Sequence, residues 1–507
     1  MELHVGKQPV FIHETLLEAE LEQPVECDVL LPDYCEDIQK ILKCTMEPVF
    51  TRREAAEERL ELEGICLVTV YYRSPGGNLC RGEYKVPFSK TADLRGKATC
   101  PVVWAQGVCS YVNCRAVSSR RLDIRGAATL RVAVGNVRQQ EAVCSASGMG
   151  LQLRSTTRPS TRIVLQTCRS LSLSEELELP ESKDGVAAIL RVGAVARLLD
   201  CKVLAGKVIL RGEATVNFLY RGLGGKCETM ELSLPISQMI DAEGVDDQCR
   251  CHARLSVQHA AVERCDRQDD DRRLNISLTL NAPLRVHRNY QAQCSSDCYS
   301  TQYECGCKTQ NARLLELNQE VDRTFLYRER MELPDKVDHI TDLWCRVADW
   351  KVKTEDQDAL ICGKLCVALF GRKGEGDLEY YEKLVDFEER VPMAGGAEAI
   401  FRPSLRVAGQ SYNFSGEGSL EVRCEIAVSG CAYRCTSQPL ICDITLDSTK
   451  QKQSRVEKGL YICRAEAGEE LWDIARRYNT SVEYILEENQ LAEGSLEKST
   501  MLLVPVL

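Results

Sequence analysis

Four thiols fall within fourteen residues, Cys294, Cys298, Cys305 and Cys307, in the segment CSSDCYSTQYECGCK. Thiolates at that density could bind a metal or form disulfides. The spacing, C-x3-C-x6-C-x-C, lacks the paired CxxC knuckles of a typical zinc site. No metal and no other cofactor is therefore expected. The segment reads either as a site of oxidative cross-linking within an assembly or as a cysteine-containing linker. A looser group comprises Cys249, Cys251, His252, His259 and Cys265. Strand-like alternation along CRCHARLSVQHA sends the first two cysteines to one face and His252 to the other. His259 shares the cysteine face but lies roughly 26 Å beyond Cys251 on an extended strand, too far to share a metal.

A search for catalytic groups ends early. The six histidines (His4, His13, His252, His259, His287, His339) form no HExxH frame, and the chain has no GxSxG and no GxxxxGK[ST]. The glycines Gly222–Gly225 fall in a predicted hairpin rather than before a helix, so they form no phosphate cradle. Asp269–Asp270–Asp271 reads as a solvated turn. Carboxylate pairs for glycoside cleavage could sit anywhere among the 75 acids. The net charge of −11 argues against nucleic-acid binding. No apolar run approaches the roughly 20 residues of a membrane span. The N-terminal MELHVGKQPVFIHETLLEAE lacks the basic and apolar regions of a signal peptide, so reduced thiols are expected. Most of the 27 cysteines, Cys66, Cys366, Cys424 and Cys431 among them, sit within apolar strand patterns, where a thiol behaves as a small hydrophobe.

The elements that would position these groups repeat. LPDYCEDIQKIL begins at Leu31, LPESKDGVAAIL at Leu179 and LPDKVDHITDLW at Leu333. GICLVTVYYR opens at Gly64, GEATVNFLYR at Gly212 and GKLCVALFGR at Gly363, each followed by a glycine-rich turn. VPFS, LPIS and VPMA start at Val86, Leu234 and Val391, and a strand pattern starts at Leu122, Leu274 and Leu420. Four landmarks in one order indicate a threefold repeat of about 150 residues. Alternation bounded by Gly, Pro and Asp predicts antiparallel strands. The Leu-Pro segments, with acids after the proline and Ile38, Ile41 and Leu42 at helical spacing, predict one short helix per repeat. The fold class is thus mainly β, three tandem sandwich- or barrel-like units each with a short helix, with a small βααβ module at the end.

That last module spans Tyr461–Leu507. A strand ends at Gly468–Glu469–Glu470; Leu471, Trp472, Ile474, Ala475 and Tyr478 follow at helical spacing. Thr480 or Ser481 can cap a second helix, Asn489 can end it, and Leu502–Pro505 reads as a closing strand. The pattern resembles a LysM domain, a module that binds N-acetylglucosamine-containing glycans, peptidoglycan above all, and sometimes proteins. The resemblance implies a groove between Gly468, Glu469, Glu470 and Leu471 on one side and Asn489, Gln490 and Leu491 on the other. Trp472 and Tyr478 are expected in the core. Where the family turn carries Gly-Asp-Thr, this chain has Gly-Glu-Glu. Nine acids against four Lys or Arg follow Lys458, which favours a protein ligand over a neutral sugar. The repeats resemble SPOCS domains. Three of them before one LysM resemble SipL-type spore-coat morphogenetic proteins of clostridial endospore formers.

The resemblance implies a non-enzymatic adaptor made in the mother-cell cytoplasm and placed at the forespore surface, in the spore coat. Its partners would be the coat-basement ATPase and other spore-coat proteins, with an N-acetylglucosamine-containing glycan as a further ligand. The alternative is a peptidoglycan- or cortex-binding wall protein, with or without hydrolytic activity. The expected divisions are 1–150, 151–292 and 312–446 for the repeats, 293–311 for a Cys-rich linker, 447–459 for a flexible linker, and 460–507 for the LysM domain.

Overall fold

The computed structural model describes residues 3–506 apart from 266–270, 334–336, 338, 356, 373, 375–377, 394–398, 415–417, 453–456, 492–495 and 497. The alternating sequences fold as long antiparallel strands. The first group is β1 (His4–Leu30), β2 (Lys40–Arg73), β3 (Leu79–Ala98), β4 (Pro101–Ser118) and β5 (Arg121–Ser147). The second is β6 (Leu151–Glu178), β7 (Val186–Leu204), β8 (Lys207–Gly222), β9 (Cys227–Asp241), β10 (Arg250–Ala253), β11 (Ser256–Arg264) and β12 (Arg273–Ser300). The third is β13 (Tyr303–Glu332), β14 (His339–Glu355), β15 (Asp358–Arg372), β16 (Glu379–Pro392), β17 (Ala399–Phe401), β18 (Ser404–Phe414) and β19 (Ser419–Gln451). In each group the first strand pairs with the last along nearly its whole length: β1 with β5, β6 with β12, β13 with β19.

A second sheet covers each long pair: β2–β3, β7–β8–β9 and β14–β15–β16. β2 turns back at Glu57 (φ 50°), which lays Val49 against Gly64. Period-two alternation sends every second side chain between the sheets. Leu122, Ile124 and Leu130 of β5 thus meet Leu62, Val68 and Val70 of β2. Leu274, Ile276 and Leu278 of β12 meet Leu210, Val216 and Phe218 of β8, and Leu420, Val422 and Ile426 of β19 meet Leu365, Val367 and Leu369 of β15. The result is three sheet-on-sheet sandwiches.

The three groups also share apolar clusters. Tyr71, Leu219 and Phe370, at matching places in the repeat, are all buried in one cluster with Leu79, Cys227 and Leu378. Ala142, Cys294 and Leu440 lie opposite Gln8, Thr156 and Gln310, and are buried together in another. Ion pairs cross between the groups: Arg73–Glu379, Arg221–Glu36, Lys43–Glu382 and Arg191–Asp342.

Three expectations change. Among the described residues no repeat contains a helix. The first two Leu-Pro segments make tight turns, the Cys35 N–H donating to the Pro32 carbonyl (2.9 Å) and the Lys183 N–H to that of Pro180 (2.9 Å), while 334–336 of the third lie outside the described residues. Ile41, Leu42, Val186 and Leu190 then belong to strands. The span 293–311, expected as a linker, lies in β12 and β13 apart from the turn between them, because Tyr290, Ala292 and Cys294 continue the buried alternation. Residues 447–451 extend β19, while 453–456 of the expected flexible linker lie outside the described residues.

The C-terminal module has the expected order: β20 (Gly459–Ala465), α1 (Leu471–Tyr478), α2 (Val482–Asn489) and β21 (Thr500–Val506), with β20 antiparallel to β21. Ser481 caps α2 by accepting from the Tyr484 N–H (3.2 Å). No helix among the described residues is long and apolar enough to cross a membrane.

Candidate functional site

The turn before α1 is shaped by Gly468, whose φ of 86° suits glycine. Its N–H donates to the Leu496 carbonyl (2.8 Å). Glu469 accepts from the Glu466 N–H (3.1 Å) and pairs with Arg477. These two contacts, in that order, hold its carboxyl below the usual range. Glu470 sits at the N-cap of α1 without capping it through its side chain; it pairs instead with Arg154 of β6. Gly468 and Glu469 line a concavity with Arg464, Glu466, Ala467 and Arg477.

The other expected groove residues are placed elsewhere. Leu471 is fully buried in the module's core with Ile474, Ala475, Ile485, Leu502 and Val504. Asn489 is a clamp: its amide donates to the carbonyls of Ile485 (2.8 Å) and Leu503 (2.6 Å) and accepts from the Leu503 N–H (2.7 Å). Gln490 takes the left-handed conformation that ends α2, and Leu491 packs on the core. The concavity does not include these three residues.

Trp472, expected in the core, lies at the boundary between the module and the long strands. Its indole N–H donates to Asp297 (2.9 Å), and its ring meets Tyr299 edge-on at 4.9 Å. Arg476 also donates to Asp297 (2.6 Å). Tyr299, 3 % exposed, enters the module's core and donates to the Thr480 carbonyl (2.8 Å). Asn479 donates to the Thr301 carbonyl (2.7 Å), and Lys452 donates to Asn479 (2.7 Å). The turn joining β12 to β13 is thus a dock for the module. Sequence reading missed Arg154, Asp297, Tyr299 and Thr301; the one available signal was an aromatic residue between two cysteines of a supposedly polar linker.

The cysteine candidates separate. Cys294 is buried in the shared cluster and accepts from the Gln438 amide (2.8 Å). Cys298 and Cys305 lie with their sulfurs 3.7 Å apart, and Cys307 is exposed. His252 reaches Ser429 (3.3 Å), and Cys251 lies beside Cys201. Among the described residues no group of three or more His, Cys, Asp or Glu side chains could hold a metal ion. Asp269 and Asp270 lie outside the described residues.

Comparison with protein families finds the SipL SPOCS domain at residues 37–111 and 185–264, and the LysM domain at 465–505. The first two segments cover corresponding parts of the fold, from the Leu-Pro turn through the covering sheet. No curated protein and no solved structure matches the chain. Both matched domains are non-catalytic binding types, and they mark a sporulation-related protein. With a SPOCS domain in two segments and a LysM domain after them, the chain matches a SipL-type protein.

Proposed function

We propose that the chain is a non-enzymatic adaptor of spore-coat assembly, acting from the mother-cell cytoplasm at the forespore surface. Its LysM grips the coat-basement ATPase, and its sandwiches recruit further coat proteins. Residues 303–451 serve as a third SPOCS-like unit. Arranging three similar units around shared clusters supports a scaffold, since linked weak contacts become durable through effective concentration.

The observation that carries the protein-binding reading is the LysM surface. A neutral acetamido sugar is best held by backbone amides and an apolar stacking face. Here the concavity is lined by Arg464, Glu466, Glu469 and Arg477, and the Trp472 ring is engaged edge-on with Tyr299. Charged rims of this kind steer and orient protein partners. The LysM match itself favours the second reading, a peptidoglycan- or cortex-binding wall protein.

Binding of the full chain to the ATPase and to purified peptidoglycan separates the two. Glu469→Lys is expected to weaken ATPase binding about tenfold, or ~1.4 kcal/mol, and to leave sugar binding unchanged. The opposite pattern would install the wall reading. A fluorescent fusion is expected as a shell around the forespore; uniform labelling of vegetative walls would contradict the coat assignment.

A further inference from the structure

Beneath the LysM dock, the turn that leads from β12 in one sheet to β13 in another holds two thiols in contact. The sulfurs of Cys298 and Cys305 are 3.7 Å apart across the turn. Cys298 is 5 % exposed, in an apolar cluster with Val143, Leu151, Ile441 and Ile444; Cys305 is partly exposed. The turn is held by Ser300, whose hydroxyl accepts from the N–H groups of Gln302 and Tyr303 (3.1 Å each) and donates to the Met149 carbonyl (2.7 Å). The residues flanking Cys298, Asp297 and Tyr299, are those that hold the LysM.

We propose that Cys298 and Cys305 are an oxidisable dithiol, bridged within one chain by a hydroperoxide, and that the bridge staples the turn from β12 to β13 that carries the LysM dock.

The electrostatics suit the division of roles. The Cys298 thiol beside it, with Lys452 and Arg476 nearby, brings the Cys305 thiol down to about 7, so a large share is thiolate at neutral pH. Contact with Cys305 and burial push Cys298 up, so it keeps its proton. The exposed sulfur is the nucleophile and the buried one resolves. The Cys305 thiolate attacks one peroxide oxygen, the O–O bond breaks, and hydroxide leaves; Cys305 becomes a sulfenic acid. The Cys298 sulfur then attacks the Cys305 sulfur, the S–O bond breaks, and the departing hydroxyl takes the Cys298 proton as water. The two thiols are oxidised by two electrons and the peroxide is reduced to water and hydroxide, which takes up the proton released when Cys305 ionised. Cys44 with Cys114, Cys201 with Cys251 and Cys345 with Cys424 also adjoin; the last pair is buried, 9 % and 1 % exposed, out of reach of an oxidant, and neither of the first two flanks a residue that holds the LysM.

The test treats the full chain with one equivalent of hydrogen peroxide, blocks remaining thiols, and digests with chymotrypsin, which cuts after Tyr299 and Tyr303 and so separates the two cysteines. Non-reducing mass spectrometry is expected to find Cys298 joined to Cys305 within a monomer. The joined peptide should persist in Cys307→Ser and vanish on dithiol reduction. Backbone amides of 299–303 should exchange at least tenfold more slowly in the bridged chain. A bridge to Cys307, a bridge between chains, or unmodified Cys298 and Cys305 beside other oxidised cysteines would overturn the pairing. Unchanged amide exchange would overturn the stapling. None of these readouts requires the partner assignment to hold.

Discussion

Replacing Trp472 with Ala removes the N–H that Asp297 accepts and the ring that meets Tyr299, yet leaves Leu471, Ile474, Ala475, Ile485, Leu502 and Val504 enclosed. The module is therefore expected to keep its helices and to loosen from the β12–β13 turn. A hydrogen bond to a charged acceptor is worth about 1.5–3 kcal/mol, so amide protection near Thr301 and Asn479 should fall while α1 stays protected. Collapse of protection throughout α1 would show that the indole supports the core itself. The helical spacing of Leu471, Trp472, Ile474 and Ala475 predicted α1, but one face of a helix this short cannot say whether a neighbouring domain takes part of it. The acidic turn was legible because Gly468 punctuates it, whereas Asn489 was read as groove when its amide closes the second helix onto β21. Arg154 and Asp297 could not be read at all, since their roles depend on strands brought together over more than a hundred residues.

At the level of elements, the glycines that opened each repeated strand have a common cause. A Cβ at Gly64, Gly212 or Gly363 would collide with the carbonyl oxygen of Val49, Arg197 or Asp349, and with Phe88 or Phe387 directly opposite on the paired strand, or with Leu255 at Gly212. Alternation made the strands legible, but the Leu-Pro turns were not, because proline followed by acids marks a helix start and a β-turn alike. Contacts between the units left no trace in the pattern. Arg191 and Asp342, 8 % and 9 % exposed, pair through two bonds (2.5 and 3.1 Å), with the Arg191 guanidinium 4.8 Å from the Trp344 ring centroid. Asp342→Ala leaves the guanidinium buried with the neutral Asn217 oxygen (3.2 Å) but no charge to pair with, and should cost about 3–5 kcal/mol. Arg191→Leu with Asp342→Leu should cost much less. Denaturant midpoints of the three proteins would measure this; equal losses in the single and double variants would mean that packing, not charge, sets the cost.

For the whole molecule, the same burial that joins the units makes them sensitive to acid. Gly135, His287 and Tyr433 lie opposite Thr15, Ile163 and Leu317, the same register position in the three long pairs. His287 is 1 % exposed, 2.5 Å from the Tyr433 hydroxyl, to which Arg285 also donates. Burial, then Arg285 and His252, lower its pKa to about 3. His13, against Gly135, falls to about 4 through burial and then Arg313, Arg402 and Arg285. A histidine whose folded pKa is depressed takes up its proton in the unfolded chain first, so each lowers stability as pH falls from about 6.5 towards its folded value. A drop of this size is worth about 3 kcal/mol for His13 once both states are protonated. Carboxylates held low by cations, such as Glu379 by Arg73 and Lys40 after the opposing cost of burial, contribute their own loss only below about pH 4.5. Between pH 6.5 and 5 the histidines should therefore dominate the slope. Melting temperatures are expected to fall across that window in the wild-type chain and to fall less in His287→Gln, which can still meet Tyr433 but does not titrate. An identical slope in the variant would assign the acid sensitivity elsewhere. Because His287 and Tyr433 come from different units, the first acid transition should expose the shared clusters around Ala142, Cys294 and Leu440 before any single sandwich opens.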